Sequence, residues 1–134
     1  MVKMPAEVRE TLEKQKPTPI ATADASGTPN VVYVSFLKVL DDETLMISDN
    51  FFLKTAANLE ENPKMAMVCY DSETNKSFQI KGKIEVYKEG EYFDDMLRWV
   101  HGINEKLPAK AAVIMKITDI YEAAGGPGAG EKIA

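Results

Sequence analysis

A lysine and a threonine stand side by side, Lys54-Thr55, where the chain changes to a helical period. Across 49–62, Leu53, Ala56, Ala57 and Glu60 recur at helical intervals, and Asp49 or Asn50 is a natural N-cap. A helix start presents unbonded N–H groups and the positive end of the helix dipole, which together favour an anion such as phosphate. Lys54 and Thr55 fall in the first turn or two and would add an ammonium and a hydroxyl at that spot. An ordinary capped helix with an exposed lysine fits the same residues. The strand ahead sharpens the picture, because Ser35 and Lys38 interrupt an otherwise apolar run at 30–38. Lying beside the strand that feeds the helix, that run would line a groove ending at the helix start. A flat heteroaromatic ring needs apolar faces and a few partners along its polar edge, and strand backbone plus a phosphate anchor would supply them.

Other residues capable of chemistry form no second constellation. His101 is the single histidine, placed after Trp99 and Val100 near the end of a predicted helix, where a partly charged imidazole suits the dipole. With one histidine and no nucleophile motif, no catalytic triad is available. Cys69 lies in an apolar strand as a small hydrophobe. Asp41, Asp42 and Glu43 match no calcium-loop spacing and read as a solvated hairpin tip. The run GGPGAG precedes no helix and lacks the lysine of a phosphate-binding loop. Met46, Met65, Met67, Met96 and Met115 fall mostly on strands and read as core.

The elements that must position the Lys54-Thr55 junction are mostly strands. A short amphipathic helix at 5–15 ends at Pro17 and Pro19. Strands are predicted at 19–24, 30–40, 43–48, 64–70, 77–88 and 110–123. Helices are predicted at 49–62 and 90–103, and Gly82 inside the fifth strand calls for a bulge or tight bend. The first three strands are joined by short turns, so they are antiparallel neighbours. Six such strands close most readily into a barrel, which removes exposed edges. The expected layout is one mainly β domain over 1–134: a helix at 5–15, an antiparallel barrel at about 18–124 and a mobile Gly-rich tail at 125–134.

Composition limits the function. The 134 residues suit one domain with a real core, at 45% hydrophobic and 28% charged. A net charge of −5 argues against general nucleic-acid binding, so any phosphate must be held by a local site. No stretch approaches the roughly 20 apolar residues of a membrane helix. A single cysteine and an N-terminus without an apolar leader point to the cytoplasm.

The run PIATADASGTPNVVYVSFLKVLDDETLMISDNFFLKTAANLEENPKMAMV resembles the pyridoxamine 5′-phosphate oxidase-like split-barrel flavoproteins. Its most specific part is strand, short turn, strand, then K-T-x-x-N-L on a helix followed by a proline, and the likeness spans residues 18–125. The resemblance implies a six-stranded split barrel that dimerises, with FMN bound non-covalently in clefts at the subunit interface. It puts the FMN phosphate on Lys54 and Thr55 next to Leu53, with Asn58 supporting that turn. Val34, Ser35, Leu37 and Lys38 would flank the ribityl chain and ring, and Ile47, Ser48, Asp49 and Asn50 would offer backbone groups to the ring edge. Gln79 would approach from the other subunit. Trp99 and Tyr121 could reach a flavin across a dimer interface, and core or interface packing suits both equally well. The implied function is an FMN oxidoreductase or electron carrier with unassigned donor and acceptor. A non-catalytic flavin-binding or sensory module and a deazaflavin-dependent reductase are the alternatives. The GGPGAGEKIA end has neither Arg nor His, unlike the basic extension of the pyridoxamine phosphate oxidases, so that substrate is not expected. Haem, bound by some relatives, is disfavoured by the lone histidine.

Overall fold

The predicted strand at 30–40 breaks in two at Ser35-Phe36, and this break sets the architecture. The computed structural model describes residues 1–134. In chain order it contains α1 (Ala6–Lys14), β1 (Thr18–Ala23), β2 (Pro29–Val34), β3 (Leu37–Asp41) and β4 (Thr44–Asp49). Then come α2 (Lys54–Glu61), β5 (Lys64–Tyr70), β6 (Ser77–Tyr87), α3 (Glu91–Ile103) and β7 (Ala111–Glu122). The strands form one 7-stranded sheet in the order β2-β1-β5-β6-β7-β4-β3. Every adjacent pair is antiparallel.

β2 and β3 therefore occupy opposite edges of the sheet, although only Ser35 and Phe36 separate them. Three Cα steps span at most about 11 Å, so the two edges must meet at that end. The sheet curls into a barrel split between β2 and β3. The strand count is seven instead of six because one chain segment serves both edges.

The barrel interior holds Ile20, Leu45, Ile47, Met67, Ile80 and Met115, each at most 2% exposed. Burial of each such side chain contributes about 1.5–3 kcal/mol. α1 joins this core through Val8 and Leu12, and α2 through Leu59. α3 lies outside, packing Met96 and Val100 against Met46, Ala112 and Ile114. Both faces of β4 are thus covered, which is why all six of its residues are buried and its sequence lacks polar alternation.

The bend expected at Gly82 is present. The β6–β7 register shifts between Lys81 and Gly82. A Cβ at Gly82 would lie 2.6 Å from the Lys116 carbonyl oxygen and 2.7 Å from Met115 Cγ.

Two further expectations are corrected. The helix predicted from 49 begins at Lys54, because Asp49 and Asn50 bind the preceding loop instead of capping it. Asp49 Oδ1 accepts from the Phe52 N–H at 2.9 Å, and Asn50 Oδ1 accepts from Ser48 Oγ and the Ala109 N–H, both at 3.0 Å. The tail predicted to be mobile folds back on β7. β4 pairs only with Ala111–Lys116, which leaves the rest of that β7 edge open. The tail fills it: the Ile120 N–H donates to the Ala134 carbonyl at 2.9 Å and the Glu122 N–H to the Glu131 carbonyl at 2.8 Å.

Candidate functional site

The start of α2 is held by one buried face of the helix. Thr55, Asn58 and Leu59 fall on that face at the i, i+3, i+4 spacing. Leu59 enters the barrel core. Asn58 Nδ2 donates to Thr22 Oγ1 on β1 at 3.1 Å, and Thr55 Oγ1 accepts from Asn30 Nδ2 on β2 at 3.1 Å. At the other end of the helix, Glu61 Oε2 accepts from the Ala25 N–H at 3.0 Å.

The helix start itself is open. Leu53 occupies the N-cap position and supplies no side-chain cap. The Lys54, Thr55 and Ala56 N–H groups have no backbone acceptor, and the first helical bond runs from the Ala57 N–H to the Leu53 carbonyl at 3.1 Å. The Lys54 ammonium makes no ion pair.

Ala56 lines a hollow on the other flank of the helix, whereas Lys54 and Thr55 open onto a cleft of about 490 Å³. Its walls come from the end of β2, the Ser35-Phe36 crossover, Ser48 on β4, the 50–53 loop and Leu107. β2 is an edge strand, so half of its backbone groups lack a strand partner. Tyr33, Phe51 and Leu53 give the rim an apolar character, at 72%, 75% and 82% exposed. His101 Nε2 lies 2.9 Å from the Leu107 carbonyl oxygen and pins that wall from α3. The arrangement joins three kinds of anion donor to an apolar slot, which suits a phosphate attached to a flat ring.

Val34, Ser35, Ser48, Asn50, Leu53, Lys54 and Thr55 all line this cleft. Ile47 is fully buried behind it, paired with Leu37. Asn58 lies beneath it and reaches Thr22. Asp49 lines a larger hollow of about 600 Å³ on the other flank of α2, where Glu60 and Glu89 also stand, a setting unsuited to an anion. Leu37 and Lys38 line a smaller hollow of about 290 Å³, with Lys38 Nζ 4.7 Å from the centre of the Trp99 ring. Gln79 stands apart on β6 beside Val68 and Tyr121.

Sequence reasoning missed Val32, Tyr33, Phe36, Phe51, Phe52 and Leu107 in the walls. Two adjacent phenylalanines between a strand and a helix were a usable signal for Phe51 and Phe52. Nothing local marks Leu107, which reaches the cleft only through the α3–β7 loop. Cys69 is buried and donates to the Phe78 carbonyl at 3.7 Å, and burial pushes its thiol up to about 11.

Known proteins give this geometry a family. The sequence profile of the pyridoxamine 5′-phosphate oxidase family matches residues 4–124. A protein of Methanocaldococcus jannaschii is 40% identical over 136 residues, covering 100% of this chain and 90% of its own length. The crystal structure of HupZ from Group A Streptococcus superposes with a TM-score of 0.81 at 27% identity, covering 97% of this chain and 100% of that one. An FMN-binding protein from Syntrophomonas wolfei shares the fold, with a TM-score of 0.76 at 22% identity over 88% of this chain and 84% of that one. The fold that these structures share with it is the split barrel. The chain belongs to the pyridoxamine 5′-phosphate oxidase family.

Proposed function

We propose that the cleft at the start of α2 binds FMN without a covalent bond and that the protein is a flavin-dependent oxidoreductase or electron carrier. The observation that carries this reading is the open, uncapped start of α2. The Lys54 ammonium and the backbone N–H groups of Lys54 and Thr55 lie unpaired there, at the end of an apolar cleft of about 490 Å³. Lys54 Nζ, the Thr55 hydroxyl and the N–H groups of the first turn would hold the phosphate. The crossover at Ser35 and the open edge of β2 would meet the ribityl chain and the polar edge of the ring, with Phe51, Phe52 and Leu107 excluding water. Bound flavin supplies the redox chemistry, accepting electrons from a reduced donor and passing them on. The chain's own part is to bind, orient and desolvate. No cleft side chain stands out as a proton donor.

Haem fits the same walls less well. No histidine, cysteine or methionine lines the cleft, His101 is already engaged with the Leu107 carbonyl, and Tyr33 is the one lining residue of an axial-ligand type.

The functional unit is proposed to be a homodimer. By strand register Tyr33 faces Pro19 and Gln79 faces both Val68 and Tyr121. These residues share the outer face of the sheet, between buried inner neighbours such as Ile20, Met67 and Ile80. Two such faces packed about a twofold axis would carry Gln79 of each copy toward the partner's cleft.

Replacing Lys54 with Ala should weaken FMN binding about tenfold or more, the usual cost of losing one charged hydrogen bond. Equal affinity for FMN in Lys54→Ala and the parent protein would remove the phosphate anchor. Rapid, saturable reduction of bound flavin by NADH or NADPH separates an enzyme from a carrier or sensor, which would not be reduced by either.

A further inference from the structure

Asn30 does not line the cleft, yet it controls a group that does. Its Nδ2 donates to Thr55 Oγ1 at 3.1 Å. Its cross-strand partner is Thr22, and Thr22 Oγ1 accepts from Asn58 Nδ2 at 3.1 Å. Thr55 and Asn58 are three residues apart on one helix face, opposite one strand pair. Two bonds of opposite direction therefore clamp the first two turns of α2 to the β1–β2 hairpin.

The direction of the upper bond has a chemical consequence. A threonine hydroxyl has one proton and two acceptor lone pairs. The Asn30 amide donates into one of those lone pairs, so the Thr55 proton stays free for another acceptor. No protein acceptor takes that proton: the bond from Asn30 is the one hydrogen bond that Thr55 Oγ1 makes. Thr55 also lines the cleft next to Lys54.

We infer that Asn30 is a positioning residue for anion recognition: it fixes the Thr55 hydroxyl as a donor at the α2 start, so the site discriminates phosphorylated flavin from riboflavin. The inference rests on the FMN reading above and adds selectivity to it. Asn30 itself does not touch the ligand.

Flavin fluorescence titrations with FMN and with riboflavin test it. The parent protein binds FMN more tightly than riboflavin. Asn30→Ala weakens FMN binding about fivefold to tenfold and leaves riboflavin within about twofold, since only the phosphate contact is disturbed. Thr55→Val has the same effect, and the double variant loses little more, because the two residues act on one hydrogen bond. Asn30→Asp loses more than Asn30→Ala, because its carboxylate accepts the Thr55 proton and adds a repelling charge. Asn30→Asp and Thr55→Val are nearly isosteric and carry the comparison if Asn30→Ala does not fold. Equal losses for FMN and riboflavin would make Asn30 merely structural and overturn the inference, as would unchanged FMN binding in Asn30→Ala. A parent protein that binds neither flavin overturns the FMN reading together with this inference. A parent protein selective for FMN with an unaffected Asn30→Ala overturns the inference alone.

Discussion

Gly82 has no Cβ because there is no room for one. The Lys116 carbonyl and the Met115 side chain approach from β7, and a methyl group there would meet backbone oxygen at 2.6 Å. Gly82→Ala is therefore expected to destabilise the fold by about 1–3 kcal/mol, read as a lower midpoint in urea unfolding with unchanged slope. An unchanged midpoint would mean that β6 and β7 can move apart freely. Single residues of this kind were legible in the sequence, since a glycine inside a β-branched strand marks a bulge, a tight bend or a close backbone approach. Lys54 and Thr55, the proposed phosphate anchor, stand out in the sequence as candidates for a similar reason, as a cation and a hydroxyl at a change of period. Asn30 does not. Its proposed role depends on the register that sets it opposite Thr22 and on a helix 25 positions further on, neither of which the local sequence specifies.

At the scale of elements, the turn between β5 and β6 shows how a polar loop is held. Asp71 accepts from Lys14 Nζ at 3.1 Å, from the Glu73 N–H at 3.0 Å and from Thr74 Oγ1 at 3.1 Å. The Lys14 bond is the largest cause holding the Asp71 carboxyl below its ordinary value, and the same contact raises Lys14 above its own. A lowered carboxyl contributes stability above its unfolded value of about 4, and that contribution is lost as the pH falls through the folded value. Lys14 has the opposite sense: its share is present below its ordinary value and is lost as the pH rises through the raised one. Asp71→Asn should therefore shrink the drop in thermal midpoint between neutral pH and about pH 3. An equal drop in both proteins would remove Asp71 from the acid response. Element types were mostly readable from period and turn residues. The break in the 30–40 strand was hidden, because Ser35-Phe36 contains neither Gly nor Pro and the reason for the break is barrel closure. The helix start was misplaced by the polar pair Asp49 and Asn50, which bind the loop and the distant Ala109.

At the scale of the molecule, the split between β2 and β3 joins fold to function. Curling brings the two sheet edges together at Ser35-Phe36 and leaves an open strand edge beside the start of α2. The outer face carrying Tyr33, Val68 and Gln79 is where a second copy is proposed to pack. Val68→Lys would set a charge within that face and should convert a dimer into a monomer by light scattering. A monomeric parent protein that still binds flavin would contradict the dimer. Barrel closure and antiparallel order could be read from short turns and strand count. The docking of the tail could not, because it answers an open edge on β7 created by the shorter β4.

The most direct test of the account is the visible absorption spectrum of the purified protein incubated with FMN and freed of excess, with mass spectrometry of the molecule released on denaturation. The account predicts a yellow protein that releases FMN. A colourless protein that retains no FMN would contradict it, leaving the split barrel without its proposed role.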